Sequence, residues 1–302
     1  MDNESRTAHL RVVVGDENSE FYDLNLHVTD RRVKQVKSIP AIVTGDEHHE
    51  FISEEVVAAT YMDDDSIVKV CRPKYGVRHD IIDSYSVSHH HRNSPSTRYS
   101  KAFKNDDDLE KELFISVNFL KDSTPDFMTN VIVPSNHDDH IKRWLEEVDW
   151  RADLPNAKIY HQMWSAWIDA IEASKTDDPE ERKDFHPFTW WMKQHDTTNT
   201  LWLTDDYPFI VEGIYLGYHG HRGPNGARGS IKNLSKIGAK TIIGHTHSPG
   251  IDKGCYQVGT STWLKLDYTS GPSSWHNTHC LVHPNGKRQL VNIVNGEWRK
   301  QR

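Results

Sequence analysis

Five short apolar runs in this chain each end in a cluster of acid, amide or imidazole, and that repeated pattern constrains the fold more than any other feature. IPAIVTGDEHHEF ends in Asp46 and His48, YGVRHDIID in Asp80, and FMTNVIVPSNHDDH in Asn136 and His137. FIVEGIYLGYHGH carries His219, and AKTIIGHTH carries His245 and His247. Runs of β-branched and apolar residues bounded by turn formers read as strands. In α/β sheets, ligands gather where the carboxyl ends of strands open into loops, so five such ends can converge on one spot. A lone histidine at a strand end is more often a hydrogen-bonded structural residue. An ordered series is stronger, because chance must supply every member in sequence.

Helical segments separate these strands. SEEVVAATYM follows the first, with Ser53 placed as an N-cap. DDDLEKELFISVNFLK (106–121) has helical spacing, with acids in its first turn where the helix dipole favours them. Residues 139–195 read as mostly helical and rich in Trp, with an exposed linker around 174–184. GSIKNLSKIG reads as a further helix, and the tail alternates strand and turn (CYQVGTST, WLKLDY, THCLVH, RQLVNIV). This alternation predicts an α/β fold. At the N-terminus, HLRVVVG and FYDLNLHV read as two short strands around the turn DENSE. Residues 1–37 are therefore taken as an N-terminal strand extension, and 38–302 as the main domain.

Composition narrows the class. A formal net charge of −8 gives no overall attraction to nucleic acid or an anionic membrane, so local patches or metal ions would have to supply it. No apolar run is long enough to span a bilayer, and MDNESRTAHLRVVV lacks the layout of a secretion signal. The three scattered cysteines, Cys71, Cys255 and Cys280, give no disulfide framework or zinc-ribbon spacing. A reducing cytoplasm is the simplest setting.

Carboxylate, imidazole and amide donors without thiolate suit divalent ions such as manganese, iron or zinc. Two such ions about 3.5–4 Å apart can clamp a phosphoryl group and supply hydroxide near neutral pH. The order of these residues resembles the calcineurin-like metallophosphoesterases. That family's pattern is Asp-x-His, Gly-Asp-x-x-Asp, Gly-Asn-His-Asp/Glu, His, and Gly-His-x-His. It is met here by Asp46-Glu47-His48, His79-Asp80-Ile81-Ile82-Asp83, Ser135-Asn136-His137-Asp138, His219 and Gly244-His245-Thr246-His247. His79 and Ser135 stand where the family has Gly. The resemblance covers roughly residues 39–295 and implies a four-layer α/β/β/α sandwich of two mixed β-sheets. It implies two divalent ions, manganese first, with iron, zinc, magnesium or nickel as alternatives. Asp46, His48 and His247 would hold one ion, and Asn136, His219 and His245 the other, with Asp80 bridging. His137 would act as general acid or transition-state stabiliser, oriented by Asp138 or Asp83. His221 competes with His219 for its role.

For substrate, two segments beside these motifs are locally basic. His89–Lys104 carries His90, Arg92 and Arg98, and His219–Lys240 carries Arg222, Arg228 and three lysines, with no acid in either. Basic loops beside a two-metal centre suit DNA or RNA, and Tyr85 and Tyr99 could stack on unpaired bases. The plain alternative is a solvated loop and an ordinary helix face, with Lys232, Lys236 and Lys240 one turn apart. HDIIDSYSVSHHHR, the GHTHSPG loop and the closing strands look like phosphoesterases of large tailed phages, including an early DNase, in which this domain can be part of a longer chain. The leading expectation is therefore a DNase acting through a metal-bridged hydroxide. A phosphatase or phosphodiesterase on a small molecule or phosphoprotein, with a pocket closed by the Trp-rich helices, is the alternative. An inactive scaffold is the third reading. The Trp-rich helices and the N-terminal strands are candidate surfaces for a homo-oligomer.

Overall fold

The computed structural model describes residues 10–173, 185–205, 207–266 and 271–299. The chain divides into two compact units. The first comprises the chain up to Ile81, Ser123–Pro134, and everything from Asn199 on; the second comprises Ile82–Asp122 and Ser135–Thr198.

The first unit is mixed α/β. Its strands among the described residues are β1 (Phe21–Asp23), β2 (Leu26–Val28), β3 (Val33–Gln35), β4 (Ala41–Val43), β5 (Tyr75–Arg78), β6 (Thr129–Ile132), β7 (Thr200–Trp202), β8 (Ile210–Val211), β9 (Ile214–Tyr215), β10 (Thr241–Ile243), β11 (Gly250–Asp252), β12 (Cys255–Gln257), β13 (Thr278–Val282) and β14 (Arg288–Asn292). A six-stranded sheet runs β14-β13-β4-β5-β6-β7, and a five-stranded sheet runs β11-β12-β10-β9-β8. Both are mixed. β4, β5, β6 and β7 pair in parallel while β13 is antiparallel to β4 and β14. β10 is parallel to β9 and β12, with β8 and β11 antiparallel at the edges.

The period-two alternation of a strand decides where each side chain goes. Ala41 and Val43 of β4, Val77, Val131, Ile242, Cys280 and Val282 join residues of both sheets in one shared core. Ile42 and Leu281, one position out of step, face the opposite way. There they pack against Val56 of α1 (Glu54–Val57), Ala59 of a π turn (Ala58–Met62), and Ile67 and Cys71 of α2 (Ile67–Cys71). Ile243 and Cys255 likewise meet a helix C-terminal to the basic loop, through its Leu234. Strands buried on both faces read as near-continuous apolar runs, as AIV does in full and TII does after its threonine.

Several segments differ from the sequence reading. FYDLNLHV is a hairpin, not one strand: β1 and β2 pair antiparallel about Leu24-Asn25, and Leu24 takes a positive φ of 56°. β3 completes this three-stranded sheet, and residues 10–20 contain no strand. FIVEGIYLGYHGH also turns back on itself, with β8 and β9 paired about Glu212-Gly213, both at positive φ. In each case a tight turn with left-handed backbone replaces a continuous run. The tail segment WLKLDY forms no strand over 263–266, and its remainder lies outside the described residues, as does the expected linker at 174–184.

The second unit is helical. It holds α3 (Pro95–Lys104), most of α4 (Leu109–Ser123), α5 (Asp138–Glu147), α6 (Ala157–Ala173) and α7 (Pro187–His195). Leu109, Leu113, Ser116 and Leu120 form the buried stripe of α4 at helical spacing. Among the tryptophans, Trp144 and Trp191 fill this unit's interior, Trp144 donating its Nε1–H to Asp153 Oδ2 at 2.9 Å, whereas Trp164 is more than a third exposed. No described helix is long and apolar enough to cross a membrane. Cys71, Cys255 and Cys280 are all buried as free thiols.

Candidate metal centre

Asp46 lies three residues beyond β4 and Asp80 two beyond β5, and these strands are parallel neighbours. Both residues therefore emerge at the same edge of the six-stranded sheet. His219 follows β9, and His245 and His247 follow β10, again parallel neighbours. Backbone bonds then fix the loops against one another. His48 N donates to Asp80 O (2.6 Å), Glu47 N to His79 O (3.0 Å), Gly244 N to His219 O (2.7 Å) and Asp46 N to Gly259 O (3.1 Å). His279 completes the frame. Its Nδ1 accepts from Gly45 N (2.9 Å), so its Nε2 carries the proton toward Thr60 Oγ1 (2.8 Å), and burial pushes this imidazole down to about 4.

The loops bring two overlapping donor sets together. Asp46, His48, Asp80 and His247 offer one atom each, all within 4.8 Å of one another, and all four residues are buried. His48 Nε2 lies 3.1 Å from His247 Nε2 and 3.6 Å from Asp80 Oδ2, and His247 Nε2 lies 3.4 Å from Asp46 Oδ2. The second set is Asp46, His79 and His219. His219 Nε2 stands 3.1 Å from Asp80 Oδ2, and its Nδ1 stands 3.2 Å from His79 Nδ1. The two carboxylates thus connect the sets. His245 gives its backbone N–H to Asp46 Oδ2 (2.6 Å), and its ring lies 5.3 Å from that of His219.

His79 is the residue that sequence reasoning passed over as a replacement for glycine. Its signal was its position beside Asp80, at a strand end already rich in donors. Burial, and then the neighbouring His219, hold its imidazole down at about 3, which keeps it in the neutral form that can ligate a cation.

The donor chemistry fits divalent ions. Two carboxylates and several imidazoles are sealed from water, and Asp46 Oδ1 is buried with no hydrogen-bond partner among the described residues. Burial, followed by the charge of Asp80, drives the Asp46 carboxyl well above the ordinary carboxylate range. A cation between them reverses both effects. His48, Asp80, His245 and His247 all hold positive φ, at 39°, 45°, 80° and 59°. Non-glycine residues in that region cost of order 1–3 kcal/mol each and gather at functional sites. Gly244 is required by close approach, since a Cβ there would overlap Asp46 Oδ1. Gly244→Ala is expected to displace that carboxylate and weaken metal binding on the order of 10–100-fold, measured by metal titration, with the fold retained by circular dichroism.

In the second unit, His137 directly precedes α5. Its Nδ1 lies 2.8 Å from Asp83 O and 3.4 Å from Asp83 Oδ1, two acceptors that place the proton of the neutral ring on Nδ1. Asp138 Oδ2 accepts from Ser135 N (2.9 Å), closing the turn that carries the half-buried Asn136.

The basic segments are less bare than their sequences suggest. Arg92 Nη1 pairs with Glu147 Oε2 at 2.7 Å, Arg98 reaches Ala152 O, and Lys101 is buried with its Nζ on Tyr85 O. Arg92, Arg98 and Lys101 line a cleft of about 500 Å³ together with Asp107, Glu147, Asp149 and Asp153. In the first unit, Arg222 pairs with Asp205 at 2.8 Å. The acids come from segments distant in sequence, so local composition overstated the positive charge. The lysine stripe also fails as a helix face, because the helix α8 (Ile231–Leu234) ends before Lys236 and Lys240.

In a comparison with known proteins the chain is similar to Protein A1 of Escherichia phage T5, 33% identical over 290 residues. The match covers 94% of this chain and 51% of that protein, so the chain spans about half the length of the relative. No family model matches, and no solved structure matches.

Proposed function

We propose that this chain is a metal-dependent phosphoesterase of the calcineurin-like kind that hydrolyses phosphodiester bonds, with DNA as its substrate. The observation that carries the reading is the buried, overlapping donor set of Asp46, His48, Asp80 and His247 with Asp46, His79 and His219. Two sheets sharing one core, with helices on the outer faces, agree with the four-layer sandwich expected of that family. Divalent ions held by these residues would supply Lewis acidity toward phosphoryl oxygens and a water acidic enough to ionise near pH 7. The chain's own part is to fix the donors through the Gly45–His279 and His48–Asp80 bonds, to exclude water from the carboxylates, and to hold a proton. His137, its Nδ1 held by Asp83, is the proton carrier in this proposal. His137→Ala is expected to retain metal and to lose about 10²–10⁴-fold in rate; a collapse of metal content would make His137 a ligand instead.

A second reading, a diesterase for a small molecule, is favoured by the pairing of Arg92 and Arg222 with acids. One experiment separates the two. Metal-stripped protein re-supplied with manganese is assayed on plasmid DNA, a small phosphodiester and a small phosphomonoester. DNA cleavage with a steep inverse dependence on salt supports the nuclease, because each phosphate neutralised by the protein steepens that slope. Activity confined to the small diester, or to the monoester, removes the DNA assignment.

A further inference from the structure

A second histidine cluster lies in the helical unit, and the metal centre above makes no use of it. His89 and His90 are consecutive in the 3-10 turn His89–His91, and His140 is on α5. One ring nitrogen from each lies within 4.8 Å of the other two. The ring centroids are 3.9 Å apart for His89–His90, 4.9 Å for His89–His140 and 5.7 Å for His90–His140. Nδ1 of His89 and Nδ1 of His140 are buried without a hydrogen-bond partner among the described residues, a costly condition for a polar atom. Burial, then His137 and His89, hold His140 down at about 3, and burial followed by His90 lowers His89. Both imidazoles are therefore neutral at pH 7, the state in which imidazole binds metal. His90 is exposed and gives a cation access from solvent.

We propose that His89, His90 and His140 form a separate site for one divalent ion of the zinc type. Three imidazoles with no carboxylate among them disfavour magnesium and calcium, which take oxygen ligands. They suit zinc, cobalt, nickel or copper. Zinc–nitrogen bonds of about 2.0–2.1 Å put tetrahedral ligand nitrogens about 3.3 Å apart, a contraction that the exposed His90 ring can supply by rotation. Three protein ligands leave a fourth position for water or an anionic oxygen. An ion there pins the His89–His91 turn to α5, the helix that His137 precedes, and so positions that imidazole rather than reacting itself.

The test is zinc content of the full chain in two backgrounds. Asp80→Asn disables the carboxylate-rich centre, and His90→Ala removes an exposed ligand with little risk to folding. After stripping, zinc loading and desalting, Asp80→Asn is expected to hold one more zinc per chain than Asp80→Asn/His90→Ala. Cobalt in the first should show the intense visible bands of a tetrahedral nitrogen site, and the double variant should lose them. Zinc should also raise the melting temperature of Asp80→Asn and leave that of the double variant unmoved. Equal zinc content in the two variants overturns the proposal. The comparison stands whatever the carboxylate centre does, because both variants lack it equally.

Discussion

Asp80→Asn is expected to abolish phosphodiester hydrolysis while leaving the protein folded. Asp80 Oδ2 lies 3.6 Å from His48 Nε2 and 3.1 Å from His219 Nε2, so one carboxylate faces both donor sets. An amide in its place keeps the shape and removes the charge. Loss of a group that merely supports a ligand typically costs on the order of 10–100-fold in metal affinity or activity; loss of a shared ligand should exceed that range. Metal content by mass spectrometry should fall by at least one ion per chain, and the rate should fall below detection. The metal-free variant should melt no lower than the metal-free parent, because Asn relieves the repulsion between Asp46 and Asp80 that helps push the Asp46 carboxyl up. Near-normal turnover would sink the two-metal reading.

Much of the candidate donor cluster was legible because strand ends are local features. Asp46, His48, Asp80, His219 and His247 each stand at the end of a short apolar run, and parallel pairing of β4 with β5 and of β9 with β10 does bring them together. His79 was missed because a family pattern treated its position as backbone, whereas the fold turns its ring onto His219. The charge of the basic loops was misread for the opposite reason: the partners of Arg92 and Arg222 are Glu147 and Asp205, 55 and 17 residues away. The hairpins at Leu24-Asn25 and Glu212-Gly213 were hidden because Leu24 and Glu212, neither a usual turn former, hold the positive φ. Pairing across a sheet and charge across a cleft are long-range facts, and single-sequence periodicity carries neither.

Glu47, between the candidate ligands Asp46 and His48, marks the largest stability effect. Its carboxylate is wholly buried and held by polar partners: Tyr61 OH at 2.6 Å and Thr44 Oγ1 at 3.0 Å on Oε1, His49 Nε2 at 2.8 Å and Arg78 Nη1 at 3.4 Å on Oε2. Burial alone would raise this carboxyl; Arg78, His49 and Tyr61 outweigh burial and bring it down to about 2. Arg78 is itself buried and held by Asn130 and Ser123. Arg78→Met removes the guanidinium and strands the carboxylate, and breaking a buried pair from one side costs about 3–5 kcal/mol. Urea unfolding at pH 7 should show that loss. Glu47→Gln/Arg78→Met should recover most of it, since removing both charges is far cheaper than removing one. The pH dependence has a definite sign. A carboxyl depressed in the folded state from 4.5 to about 2 stabilises above pH 4.5, and that stability drains away as pH falls toward 2. In Arg78→Met the folded-state value rises, so stability should fall less steeply across that window than in the parent. A variant that keeps the parent's stability at pH 7 and its acid slope would show that Arg78 does not hold Glu47 ionised, and with it the turn that presents Asp46 and His48.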